Sequence, residues 1–223
     1  MKNALSGGMK SVPDMENISS LSKKCAEDVS KNISDRQNDV RGMCFWNIYN
    51  RIQITREILS FYGKSWDAAH MDINDEELGG EIAERIVTVT KNLFVDIVST
   101  IEKTSKESVS LYESTGVKKR SLDNRSFLYL RNIIQASSEL KIISTEEFQE
   151  WDDILVMRNL AAHNNSVSDR SKKFEIAGIT ISMRPGRMMK GPVNTFIILS
   201  ERIIDLFYHW LKAMDAESKK KTE

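Results

Sequence analysis

The feature that constrains the fold most is a long run of apolar residues at helical spacing that begins near residue 75. These residues recur at every third or fourth position, which places them on one face of a helix. They are Leu78, Ile82, Ile86, Val89, Leu93, Ile97 and Ile101, and Phe94 and Val98 widen the face. A face this wide must be covered by other helices, so the run predicts the central helix of a bundle.

Four further helices are predicted from similar patterns. The first begins at Asp35 and ends at Gly63, and a loop follows it as far as Asn74. Asp123 or Asn124 caps the second, whose apolar face includes Phe127. The third begins at Ser144 with the Ser-x-x-Glu pattern of a capping box and ends at residues 164–166. The last spans residues 192–216.

A change of pattern follows the third of these helices. Apolar residues in the segment 174–183 favour extended structure, and Arg184-Pro185-Gly186-Arg187 is typical of a turn. The predicted fold is all-α, a bundle of four to six helices with a small β-hairpin-like excursion between the last two helices. Residues 1–34 are predicted to be a partly mobile leader with one short helix, 35–217 the helical domain, and 218–223 a basic tail.

The location of the protein is predicted from what the sequence lacks. No apolar segment near the start resembles a secretory signal, and the most apolar stretch, 196–211, is interrupted by Glu201, Arg202 and Asp205. Cys25 and Cys44 have no close pairing or metal-ligand spacing, which indicates free thiols in a reducing compartment. A cytoplasmic protein without a membrane partner is expected.

The helix that begins at Ser144 carries Arg158, Asn159 and His163 near its end. On a helical wheel Arg158 falls with the apolar residues Trp151 and Ile154, on a side that also includes Phe148, Leu155 and Ala162, while Glu146, Gln149, Glu150 and Asp153 face solvent. A buried guanidinium needs an anionic partner, either a carboxylate or a ligand.

The three residues suit phosphodiester chemistry. Asn159 and His163 are four apart and share one side of the helix, whereas Arg158 lies roughly 140° from His163. A second copy packed across a two-fold axis would close the groove between them. Histidine moves protons near neutral pH, and arginine binds phosphate oxygens in bidentate fashion.

Arg158-Asn159-x-x-x-His163 resembles the signature of the HEPN superfamily, in which arginine is followed by a polar residue, three variable residues and histidine. The resemblance implies a small, dimeric all-α domain, and in many members a metal-independent endoribonuclease of toxin–antitoxin or other defence systems. It also implies that His163 acts as base or acid on the ribose 2′-hydroxyl, Arg158 holds the phosphate and Asn159 positions them. The expected product carries a 2′,3′-cyclic phosphate. Expected partners are RNA, a second copy and a cognate antitoxin, with no cofactor and no metal.

Charge is balanced over the whole chain, with 32 basic and 32 acidic residues, but not near the motif. Residues 156–191 contain seven basic and two acidic residues. A local basic patch suits an RNA substrate, although a solvated loop is the competing interpretation. The predicted RNA-binding residues are Arg170, Lys172, Lys173, Arg184, Arg187 and Lys190.

Two alternatives to the ribonuclease remain open. One is a catalytically inactive HEPN-like module that dimerises or binds RNA or a partner. The other is a structural helical protein with a chance motif. In that case Arg158 would pair with an internal carboxylate such as Asp96 or Asp205.

Overall fold

The computed structural model describes residues 13–34, 39–71, 76–123, 127–163, 167–169, 171–187, 189–192 and 194–221. Its helices are α1 (Glu16–Asn32), α2 (Val40–Met71), α3 (Glu76–Leu111), α4 (Val117–Ser121), α5 (Leu130–Glu139), α6 (Thr145–His163) and α7 (Thr195–Lys220). Strands β1 (Lys172–Ile176) and β2 (Ile179–Met183) pair antiparallel. The predicted all-α bundle with a small β excursion between the last two helices is confirmed.

Helix α3 is the centre of the bundle, as its apolar periodicity predicts. It packs against α2, α5, α6 and α7. Residues of its apolar face are buried among those helices, namely Ile82, Ile86, Leu93, Ile97 and Ile101. Burial of a helix between several partners stabilises it far more than local propensity does, and α3 therefore fixes the positions of the others.

Helix α2 does not end at Gly63. It continues to Met71, so residues 64–71 of the predicted loop are helical, and residues 72–74 lie outside the described ranges. Glycine in a helix interior costs about 1 kcal/mol relative to alanine, and packing overrides a penalty of that size. Here α2 packs along both α1 and α3. The predicted start at Asp35 also lies outside the described residues.

The predicted start of α5 is wrong as well. Tyr129 has an extended backbone with φ −109° and ψ 148°, and the helix begins only after it. Phe127 is therefore in the preceding loop, where it is exposed and is not part of an apolar helix face. Asp123, one of the two predicted caps, pairs with Arg120 instead, and Asn124 lies outside the described part of the chain.

Helix α6 begins with the predicted capping box. The Glu147 amide donates to Ser144 Oγ (3.0 Å), and the Ser144 amide donates to a Glu147 carboxylate oxygen (2.8 Å). Trp151 and Ile154 are buried as expected, but Ala162 is exposed.

The helical wheel predicts that Glu150 and Asp153 face solvent, but both carboxylates pair with cations of neighbouring elements. Glu150 accepts two hydrogen bonds from Arg202 of α7, and Asp153 accepts one from Lys172 of β1. Position on a wheel cannot show that neighbouring elements bring cations to that side of the helix. These two acids fasten α6 to α7 and to the hairpin.

Helix α1 lies within the sequence predicted as a leader. It packs against α2 and α7 and buries Ile18, Cys25, Ala26 and Val29, so the packed core begins before residue 35. Residues 1–12 are outside the described ranges. At the other end, α7 continues to Lys220, within the predicted basic tail. Among the described helices, none has the length and apolar character needed to cross a membrane.

Candidate functional site

Arg158 is a half-buried arginine whose hydrogen bonds are incomplete. Its Nη1 donates to Asn159 Oδ1 (3.1 Å), and its Nη2 donates to Ser99 Oγ of α3 (3.3 Å). Its Nε is buried and has no hydrogen-bond partner among the described residues. The Ser99 hydroxyl donates to the Val95 carbonyl, which leaves its oxygen free to accept from Arg158. The guanidinium is therefore held in place by neutral groups.

No carboxylate neutralises this guanidinium within the part of the chain that the structure describes. Asp96 pairs with Arg51, and Asp205 pairs with Arg202, so neither of the acids expected under the structural alternative contacts Arg158. A cation that is partly removed from water and meets no counter-ion favours binding of an external anion.

Asn159 and His163 are both exposed, and their four-residue spacing places them on one side of α6. His163 is the last residue of the helix. Helix geometry separates Arg158 from His163 by about 7.5 Å along the axis and about 140° around it. The end of α6 therefore presents Arg158 and His163 on two flanks of the helix, and the amide oxygen of Asn159 accepts a hydrogen bond from the arginine.

The six predicted RNA-binding residues differ in whether an acidic side chain neutralises them. Lys172 donates to Asp153 (2.8 Å) and lies 4.4 Å from the centroid of the Phe174 ring, so it holds β1 against α6. Lys173 pairs with Glu175 (2.7 Å), and hydrogen bonds from Lys173 and Thr180 lower the pKa of Glu175 below its usual value.

Three of the other four predicted RNA-binding residues are not seen in ion pairs among the described residues. Arg184, Arg187 and Lys190 are exposed and form no ion pair with any described residue. Arg170 lies outside the described ranges. Among the described residues of the patch, the unneutralised positive charge is therefore in the segment after β2, and RNA contact by all six residues stays a prediction.

A groove of about 590 Å³ runs between α2 and α3 and reaches the partner of Arg158. Its walls are mostly apolar, and one end contains the Arg51–Asp96 ion pair. The lining residues include Ile54, Ile58, Val89, Leu93, Val95 and Ser99. Because Ser99 also accepts a hydrogen bond from Arg158, the groove and the motif are adjacent.

Beside the groove, α2 exposes a row of large apolar side chains that we call the α2 stripe. It consists of Met43, Trp46, Ile54, Ile58 and Phe61. Helical spacing places all five within about 120° of one another. The apolar pattern of residues 35–63 predicts a helix but does not divide its apolar residues between a buried face and an exposed one. The available signal was their number, since one buried face cannot hold Cys44, Ile48, Ile52 and Leu59 together with these five.

No group of three or more metal-ligating side chains occurs among the described residues. No protein-family model matches the chain, and no curated protein or solved structure is significantly similar to it.

Proposed function

We propose that this protein is a metal-independent endoribonuclease of HEPN type that cleaves RNA to leave a 2′,3′-cyclic phosphate. The observation that carries the proposal is Arg158, a half-buried guanidinium with an unbonded Nε and no carboxylate partner among the described residues. Asn159, which contacts Arg158, and His163 are both exposed and belong to the same helix. A cytoplasmic toxin or defence enzyme, held in check by a cognate antitoxin, is the setting that the resemblance implies.

The proposed reaction needs only groups that the chain supplies. His163 takes the proton of a ribose 2′-hydroxyl, and the 2′ oxygen forms a bond to the adjacent phosphorus. The bond from phosphorus to the 5′ oxygen breaks, and His163 returns the proton that it removed to that departing oxygen. Arg158 stabilises the negative charge that develops on the phosphoryl oxygens. Asn159 acts through Arg158, which it orients by the 3.1 Å hydrogen bond.

We expect RNA cleavage to persist in EDTA and to fall at least about a hundredfold in His163→Ala, the lower range for loss of a general acid or base. The measurement is cleavage of a structured RNA pool at equal protein concentrations. His209→Ala is the matched control, because His209 is also an exposed helical histidine but lies on α7.

The outcomes of this experiment separate the alternatives. Cleavage that requires a metal, or that is equal in wild type and His163→Ala, would contradict the proposed chemistry. RNA binding without cleavage by the wild type would favour the catalytically inactive module.

We also propose that two copies pack through the α2 stripe and the adjoining groove. Both surfaces are largely apolar, and contiguous exposed apolar patches mark sites of protein–protein contact. The groove reaches Ser99, which accepts a hydrogen bond from Arg158. A second copy on this surface would therefore lie next to the motif and could complete the site.

Substituting glutamate for both Ile54 and Ile58 should convert the dimer to a monomer and lower RNA cleavage, because two charges would be buried without partners. Size-exclusion chromatography with light scattering at micromolar concentration measures the mass. Leu140→Glu is the control, since Leu140 is an exposed apolar residue at the end of α5. A wild-type monomer, or a dimer that survives both substitutions, would argue against this interface.

A further inference from the structure

Two aromatic side chains stand exposed side by side in the loop that leads into α5. Phe127 is 68% exposed and Tyr129 is 55% exposed, and their ring centroids are 6.5 Å apart. Lys106 Nζ lies 5.8 Å from the centroid of the Tyr129 ring. We call Phe127 and Tyr129 the aromatic pair. Exposed rings beside a cation are the usual means by which proteins stack unpaired bases.

Helix α3 relates the aromatic pair to the motif. Ser99, which accepts a hydrogen bond from Arg158, and Lys106, which lies beside Tyr129, are seven residues apart. Seven residues of helix advance about 10 Å and return to within about 20° of the same direction. Arg158 and the aromatic pair therefore lie along one face of α3, two turns apart.

Helix α6 gives the same relation independently. Arg131, in the first turn of α5, donates to Asp152 of α6. Asp152 precedes Asn159 by seven residues, so the two share a face of α6 at the same spacing of about 10 Å. The start of α5 is thus two turns from the motif along α6 as well as along α3.

The charge between the two positions suits a phosphate backbone. Lys103 is exposed and lies between Ser99 and Lys106 on the same face of α3. It forms no ion pair with any residue that the structure describes, whereas Lys106 pairs with Glu102 (2.8 Å). Lys103 is therefore available to neutralise a phosphate that lies between Arg158 and the aromatic pair.

We propose that the aromatic pair is a base-stacking subsite for single-stranded RNA, with Lys103 contacting the backbone between it and the scissile phosphate. This inference rests on the proposed ribonuclease function and adds the substrate class. A span of about 10 Å corresponds to about three stacked nucleotides, at roughly 3.4 Å each. Only an unpaired base offers a free face to an aromatic ring, so this subsite should not strengthen the binding of paired RNA.

The test is RNA binding, measured by fluorescence anisotropy in the His163→Ala background so that cleavage does not interfere. The probes are a short labelled single-stranded RNA and an oligonucleotide with the same backbone but no bases. Replacing both Phe127 and Tyr129 with alanine should weaken binding of the normal RNA by about tenfold or more and leave binding of the abasic probe unchanged. Tyr129→Phe keeps the ring and should bind as the parent does. Leu140→Ala is the control for loss of an exposed apolar side chain.

Each other result would overturn the subsite. Equal weakening for the two probes would mean that the rings support the fold or the backbone contact and do not stack on bases. Unchanged binding of normal RNA by the double variant, or no RNA binding by the parent, would also overturn it. Because binding is measured without cleavage, base-dependent binding by a wild type that never cleaves would support the subsite and refute the ribonuclease.

Discussion

Replacing Arg158 with methionine should lower RNA cleavage by about a thousandfold, the upper range for loss of one donor that stabilises charge in a transition state. The free energy of unfolding of this variant should nevertheless equal or exceed that of the wild type. Within the described part of the chain, Arg158 loses hydration without meeting a carboxylate, and its Nε forms no hydrogen bond. Methionine replaces the aliphatic part of the arginine side chain and needs no hydrogen-bond partner in this position.

The combination of the two effects distinguishes a functional arginine from a structural one. A structural arginine is held by its counter-ion, and its removal destabilises the protein. An arginine that binds an external anion lowers the free energy of unfolding of the free protein, because its charge is partly desolvated until the anion binds. Single-turnover cleavage and urea denaturation of the same preparations measure both quantities.

The variant Arg158→Lys separates the effect of the positive charge from that of the guanidinium geometry. Lysine keeps the positive charge but lacks the planar fork that reaches Ser99 and Asn159 together. We expect its cleavage rate to fall between those of the wild type and Arg158→Met. A loss of more than about 2 kcal/mol of stability in Arg158→Met, with cleavage retained, would show that the arginine is structural.

The parts of the fold that could be predicted are those that local patterns determine. The apolar periodicity of α3, the capping box of α6 and the extended pattern of the hairpin all involve residues close together in the sequence. The predicted end of α2 at Gly63 failed because contacts with α1 and α3 outweigh the preference of a single glycine.

The candidate site was predictable only in part. The spacing of Arg158, Asn159 and His163 on one helix follows from their positions, but the contact between Arg158 and Ser99 joins residues 59 apart, which no local pattern indicates. The neutralisation of Lys173 could have been foreseen, because residues two apart on a strand share a face and Glu175 has that spacing. The pairing of Lys172 with Asp153 depends on how the hairpin packs against α6.

Arg41 is the structural counterpart of Arg158 and gives the largest expected effect on stability. It is 1% exposed and pairs with Asp39 (2.6 Å), whose side chain is 5% exposed. Its Nη1 donates to the Tyr112 hydroxyl (2.7 Å), which ties the start of α2 to the residue that follows α3. Burial raises the pKa of Tyr112 to about 12, so the phenol stays neutral and keeps accepting this hydrogen bond across the working pH range.

Arg41→Met should therefore lower the free energy of unfolding by about 3–5 kcal/mol, because it breaks a buried ion pair by removing one of its two partners. Urea denaturation at neutral pH measures the loss. Arg202→Met is the control, since Arg202 also pairs with acids but is less buried, and exposed or partly exposed pairs contribute about 1 kcal/mol or less. If Arg41→Met and Arg158→Met changed stability equally, the distinction between an arginine held by a carboxylate and one left open for an anion would be lost, and with it the main support for a phosphate at Arg158.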